Sequence, residues 1–304
     1  MDKTVFMFPG QGAQYIGMGK DFYENIPICK KIFEIASDVT GLDIAKLCFE
    51  ENEQIHITEF TQIAMLTVEA AIFEALEVSG KKPKATAGLS LGEYGALIAS
   101  KVLEPEDAFK VVRQRGIFMQ EAVPTGGAMS AILGLDAEAI EKVCENTKGL
   151  VSIANYNCPG QIVITGEEEA VALAGEACKA AGAKRALPLK VSGPFHSEML
   201  TGAGEKLGKV LEETKVREFA IPYVANVTAD YVTSADEVKP LLIKQVASSV
   251  RWQQSMERLI ADGYNEFVEI GPGHTLTGFM RKINRDIKTV NIEKLEDFKA
   301  YVGE

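Results

Sequence analysis

Residues 85–100, ATAGLSLGEYGALIAS, set one serine between two glycines at the end of a short apolar run. Ala85–Leu89 reads as a buried strand, and the segment from Ser90 onward reads as a helix that starts with no connecting loop. A strand, Gly88-Leu89-Ser90-Leu91-Gly92 and a helix together form the nucleophile-elbow arrangement. With twelve serines and 27 glycines, about 0.1 GxSxG matches arise by chance, so the strand–helix setting carries more weight than the motif alone. Strand and helix backbones approach closely at such a corner, which excludes side chains at both flanks. The serine hydroxyl then stands clear of the sheet beside amides that favour negative charge. A serine that only caps the helix is the plainer alternative.

The rest of the chain reads outward from this corner. Residues 4–8, TVFMF, form a buried strand ended by the loop PGQGAQ, and helical patterns follow to about residue 79. A helix is expected over 105–121, with Pro105 in its first turn. From VPTGGA the order becomes strand 128–133, helix 136–146, strands 150–155 and 161–165, helix 167–181 and strand 184–190. This βαββαβ order is the ferredoxin-like split unit. Helix 197–213, strand 221–225, helices 236–247 and 252–262, strand 266–270, helix 275–284 and strand 288–292 follow. The expected architecture is an α/β domain built from 1–123 and 196–304, with a smaller α/β domain inserted at 124–195.

Composition narrows the function classes. The 304 residues are 46% hydrophobic and 25% charged, as in an ordinary globular protein. No apolar run reaches the roughly 18 residues of a membrane helix, and the N-terminus lacks a signal-peptide pattern. Five cysteines without a CxxC pair argue against a disulfide framework or a zinc site and for a reducing, cytoplasmic compartment. A net charge of −11 argues against broad nucleic-acid or anionic-membrane binding.

A serine hydroxyl needs a base, and the sequence holds three histidines. His56 lies in polar surroundings and reads as surface. His274, after a Gly-Pro-Gly turn, suits a helix cap. His196, in SGPFHSEML where two domains meet, is better placed as a base, although position alone leaves His274 open. No Asp or Glu stands out as a third triad member. Arg115 shares one helical side with Val111, Val112, Phe118 and Met119. A guanidinium on that side needs an anion, supplied either by a structural salt bridge or by a substrate carboxylate.

Seven stretches in order, FPGQGAQYIGMG, GLSLGEYGAL, RQRGIFMQEAVP, ANYNCPGQIVITG, GPFHS, QVASSVRW and EIGPGHTLTG, resemble the malonyl-CoA–acyl-carrier-protein transacylases and the acyltransferase domains of polyketide synthases. The resemblance spans nearly the whole chain. It implies an α/β-hydrolase-like domain carrying a ferredoxin-like one, in a free-standing monomeric enzyme that supplies fatty acid synthesis. Ser90 would carry the acyl group and His196 would be its base, oriented by the main-chain carbonyl of Gln245. The N–H groups of Gln11 and Leu91 would form the oxyanion hole, and Arg115 would pair with the malonyl carboxylate. Met119, Phe195 and Asn155 would line or support the pocket. The implied substrates are malonyl-CoA and phosphopantetheinylated acyl carrier protein, with no permanently bound cofactor and no metal.

Two positions qualify the resemblance. Leu89 stands where most members carry a histidine before the nucleophile, while Phe195 before His196 resembles the malonyl-selecting pattern. The carrier protein of this family is acidic, so docking on an acidic chain needs a local basic patch. Lys184, Arg185 and Lys190, or Arg281, Lys282 and Arg285, are the candidates.

Overall fold

The computed structural model describes residues 3–303. Strand β1 (Thr4–Phe8) leads through the glycine-rich loop to helices α1 (Lys20–Asn25), α2 (Pro27–Thr40), α3 (Ile44–Phe49) and α4 (Thr58–Val78). Strand β2 (Ala85–Gly88) turns directly into α5 (Gly92–Ala99), and α6 (Pro105–Ala122) follows. The middle of the chain holds β3 (Gly127–Leu133), α7 (Ala137–Asn146), β4 (Val151–Cys158), β5 (Gln161–Glu167), α8 (Glu168–Ala180) and β6 (Arg185–Pro188). The remaining elements are α9 (Thr201–Glu212), β7 (Tyr223–Val224), α10 (Ala235–Gln245), α11 (Trp252–Ala261), β8 (Glu266–Ile270), α12 (Thr275–Ile283), β9 (Lys288–Ile292) and α13 (Leu295–Val302).

The large sheet has the order β7-β2-β1-β8-β9, and its pairings are all parallel. Parallel strands covered by helices on both faces read as unbroken apolar runs, and every residue of TVFMF is buried. Phe6 and Phe8 face the core shared with α2, α4, α5 and α6. Val5 and Met7, one residue out of phase, face α11 and α12. α4 is apolar around most of its circumference and is buried along nearly its whole length.

The second sheet is antiparallel, with the order β4-β5-β3-β6, and α7 and α8 pack against its own small core. This is the ferredoxin-like unit expected from the βαββαβ order. We propose residues 124–195 as an inserted domain, with the stretches on either side forming one catalytic domain. A bridge between Asn155 and Val250, with Tyr156 N–H donating to Val250 C=O at 2.9 Å and Val250 N–H to Ala154 C=O at 2.8 Å, joins the small sheet to the segment after α10.

Several boundaries differ from the expected ones. β6 ends at Pro188 rather than 190, although Leu189 N–H still donates to Met129 C=O of β3 at 2.9 Å. The helix expected over 197–213 opens as a separate 3₁₀ turn, Glu198–Leu200, held by the Ser197 hydroxyl. β4 runs on to Cys158 through two register irregularities. α13 was not anticipated; its Phe298 packs edge-on against Phe22.

Candidate active site

The elbow takes its shape from its glycines. A Cβ on Gly88 would run into the backbone carbonyl of Gly92, and one on Gly92 into the carbonyl of Phe8. Ser90 itself holds the left-handed backbone conformation, φ 55°, which non-glycine residues rarely adopt. His196, in the loop after β6, also has a positive φ, 60°. Such strain concentrates at functional sites.

These two residues meet. Ser90 Oγ lies 2.7 Å from His196 Nε2, and His196 Nδ1 lies 2.9 Å from the main-chain oxygen of Gln245. A carbonyl can only accept, so Nδ1 carries the proton and Nε2 offers its lone pair to the serine hydroxyl. Among the described residues, no carboxylate joins this line. Burial, and then the charge of Arg115, pull the His196 pKa down to about 4, so the ring is neutral at physiological pH. His274 is exposed at the start of α12, and His56 is exposed before α4, so neither contacts Ser90 as His196 does.

Arg115 is buried at 1% exposure, and no carboxylate of the described residues forms an ion pair with it. Its Nη1 donates to Gln62 Oε1 at 2.7 Å, and its Nη2 to Gln245 Oε1 at 3.0 Å and Ser90 Oγ at 3.3 Å. Its Nε has no partner among the described residues. Burial lowers its pKa, yet a guanidinium stays charged in a protein. Two residues away on the same helix, Arg113 has an ordinary partner, Glu59, at 2.8 Å. A buried cation held only by neutral acceptors fits an incoming anion better than a structural salt bridge.

Above Ser90 lies a cavity of about 210 Å³ whose walls include Gln11, Leu91, Met119, Asn155, Phe195 and His196. A larger groove of about 570 Å³, lined by Glu34, Asp38 and Asp43 among others, contains none of these groups. The N–H groups of Gln11 and Leu91 have no acceptor among the described residues, and both residues border the cavity. Leu89 also lines it and packs with the core beneath α11 and α12.

Gln62, Glu93, Asn157, Asn226 and Phe279 were not anticipated. Gln62 and Glu93 had a weak signal as polar residues inside strongly apolar helices. Asn226 and Phe279 had none, since long-range packing alone brings them here. Glu93 is buried at 1% exposure; its Oε2 accepts from Gln245 Nε2 at 2.7 Å and from Asn226 N–H at 3.2 Å. Burial pushes its carboxyl up to about 7, against the pull of these hydrogen bonds and of Arg115.

A serine at an elbow hydrogen-bonded to a histidine, a carbonyl behind that histidine and a buried cation beside the hydroxyl fit what acyl transfer requires. The acyl transferase domain family matches residues 5–295, and the chain belongs to that family. It is 47% identical to the malonyl CoA-acyl carrier protein transacylase of Bacillus subtilis (strain 168), over 99% of this chain and 97% of that one. The crystal structure of the malonyl CoA-acyl carrier protein transacylase of Clostridium perfringens superposes with a TM-score of 0.96 at 42% identity, covering 99% and 96% of the two chains. A malonyl-transacylase in complex with a type II polyketide acyl-carrier protein superposes equally well, with a TM-score of 0.96 at 40% identity and 99% of each chain covered.

Proposed function

We propose that this acyltransferase moves the malonyl group of malonyl-CoA to the phosphopantetheine thiol of acyl carrier protein, through a malonyl ester on Ser90, in the cytoplasmic synthesis of fatty acids. The observation that carries the reading is the unpaired buried Arg115 with Nη2 3.3 Å from the serine hydroxyl. Ser90 Oγ attacks the thioester carbonyl as His196 Nε2 takes its proton. The oxyanion is met by the N–H groups of Gln11 and Leu91. The carbon–sulfur bond then breaks, and coenzyme A leaves as the thiol with the proton from His196. The carrier thiol repeats the sequence in reverse, giving its proton to His196 and releasing Ser90.

The carbonyl of Gln245 fixes the tautomer and aim of His196, which is the orienting part of a triad carboxylate's role without its charge. Arg115 takes the malonyl carboxylate as a bidentate partner. An acetyl group lacks that carboxylate and leaves the cation without an anion. Phe195, at the cavity wall, crowds an α-methyl branch and favours malonyl over methylmalonyl.

The test is intact mass after mixing with malonyl-CoA, beside acetyl-CoA and Ser90→Ala. A malonyl adduct that requires Ser90 and clears on addition of carrier protein is the expected result. Free malonate formed without carrier protein would make the enzyme a hydrolase and overturn the transfer.

A further inference from the structure

Asn226 follows β7, the edge strand beside β2. The parallel register pairs Ala87 with Val224, so two residues further on Asn226 stands level with the elbow. Its side chain reaches two elbow backbone groups at once. Oδ1 accepts from Ser90 N–H at 2.6 Å, and Nδ2 donates to Gly88 C=O at 2.6 Å. Its own main chain is tied at both ends, with N–H to Glu93 Oε2 at 3.2 Å and C=O from Arg251 N–H at 3.0 Å. Asn226 is 2% exposed and does not border the cavity, so it touches no substrate.

We propose that Asn226 is a positioning residue that holds Ser90 in its left-handed conformation, by bridging Gly88 C=O and Ser90 N–H with a single side-chain amide. The sheet offers Ser90 N–H no partner. The neighbouring Leu89 N–H is the last to reach β1, at Phe8 C=O, 2.9 Å away. A non-glycine residue persists at such a φ only where its surroundings over-determine it. The bridge needs a donor and an acceptor on one short planar group, which asparagine has, whereas aspartate and leucine lack the donor. Glu93 in turn anchors the asparagine, so the hydroxyl, the Leu91 N–H and the His196 line rest on a support from just after β7, 136 positions from Ser90 in sequence.

This inference rests on Ser90 being the nucleophile, and its test separates the two claims. Asn226→Ala removes the bridge; the near-isosteric Asn226→Asp keeps an acceptor for Ser90 but offers Gly88 no donor. Each is assayed for kcat and KM of acylation by malonyl-CoA, and for the rate of Ser90 phosphonylation by a fluorophosphonate, which needs the elbow and His196 but no acyl group. We expect kcat and the phosphonylation rate to fall together by up to about 100-fold. KM for malonyl-CoA should stay within about twofold, a split that general loosening of the fold would not produce. Folded variants with wild-type phosphonylation overturn the proposal, as does a raised KM with unchanged kcat. Amide hydrogen exchange at Ser90 in the wild-type protein gives a reading independent of how the variants fold. Protection is expected there, and exchange as fast as that of an exposed loop overturns the bridge. If the wild-type protein is phosphonylated at Ser90 but takes no malonyl group, the donor assignment fails, and the phosphonylation rates alone decide the role of Asn226.

Discussion

Two corners of the parallel sheet share one plan, on either side of β1, and their helix starts are satisfied differently. At the end of β8, Gly271 and Gly273 with φ of 129° and 74° make the turn, and the Glu269 carboxylate folds forward to accept the Leu276 and Thr277 N–H groups at 2.9 and 2.8 Å. The chain thus supplies its own hydrogen-bond acceptor to the start of α12. At the end of β2 the left-handed residue is a serine, and the Leu91 N–H at the start of α5 has no acceptor among the described residues. One corner is closed by an internal carboxyl group; the other leaves its donor open, as the proposed oxyanion hole requires. The contrast extends to the cations, since Arg113 is paired with Glu59 and Arg115 is bound to amide and hydroxyl oxygens alone.

The largest expected effect breaks this contrast at the cation. Arg115→Met removes the charge but keeps the bulk, and the preference for malonyl-CoA over acetyl-CoA should fall by about 10³- to 10⁴-fold. Competition between the two thioesters for Ser90, read by intact mass, checks it. Next come the glycines. Gly92→Ala places a Cβ against the Phe8 carbonyl and should destabilise by about 3 kcal/mol or more. Gly273→Ala meets only Ala13 at 3.3 Å and should lose about 1 kcal/mol through its positive φ. Urea unfolding of both variants compares the corners directly.

The closed corner has its own pH signature. Burial raises the Glu269 carboxyl from 4.5 to about 7, and Glu69, which faces it, is raised further by burial and by Glu269 itself. In the folded state Glu269 therefore keeps its proton after the unfolded chain has lost it. Its contribution is full below pH 4.5 and is lost as pH rises to about 7. Relative to Glu269→Gln, the wild-type protein should lose on the order of 3 kcal/mol across that window, read as the difference in urea midpoints at pH 5 and pH 8. The smallest effect lies at the surface. Lys184 and Arg185 are exposed at the start of the edge strand of the small sheet. Reversing both to Glu should raise KM for carrier protein severalfold, about 1 kcal/mol, and leave KM for malonyl-CoA unchanged; equal changes in both would remove this patch as the docking surface.

Local rules carried much of this architecture. TVFMF, GLSLGEYG and the βαββαβ order translate directly into a buried central strand, an elbow and the second sheet, because each depends on neighbours within a few residues. The residues with chemistry of their own, Ser90, His196 and Arg115, stood out by type and scarcity. The amides did not. Gln62 and Asn226 look like any polar residue until packing over 53 and 136 positions brings them to the guanidinium and the elbow. The use of a carbonyl in place of a triad carboxylate has no signature in the residue itself, since every residue has a carbonyl; the family resemblance pointed to Gln245, and the 2.9 Å contact with His196 Nδ1 locates it.

The order of strands also bears on how the chain is made. β1 is synthesised well before its neighbour β8, which begins at Glu266, 266 − 8 = 258 positions after Phe8. At a translation rate of about 5–20 residues per second, β1 waits roughly 13–50 s for that partner. Until then the nascent polypeptide presents four consecutive apolar positions, Val5 to Phe8, along an unpaired edge, a template for joining other chains. Fragments released before β8 is made are therefore prone to aggregate, and a holding chaperone has its clearest target at β1.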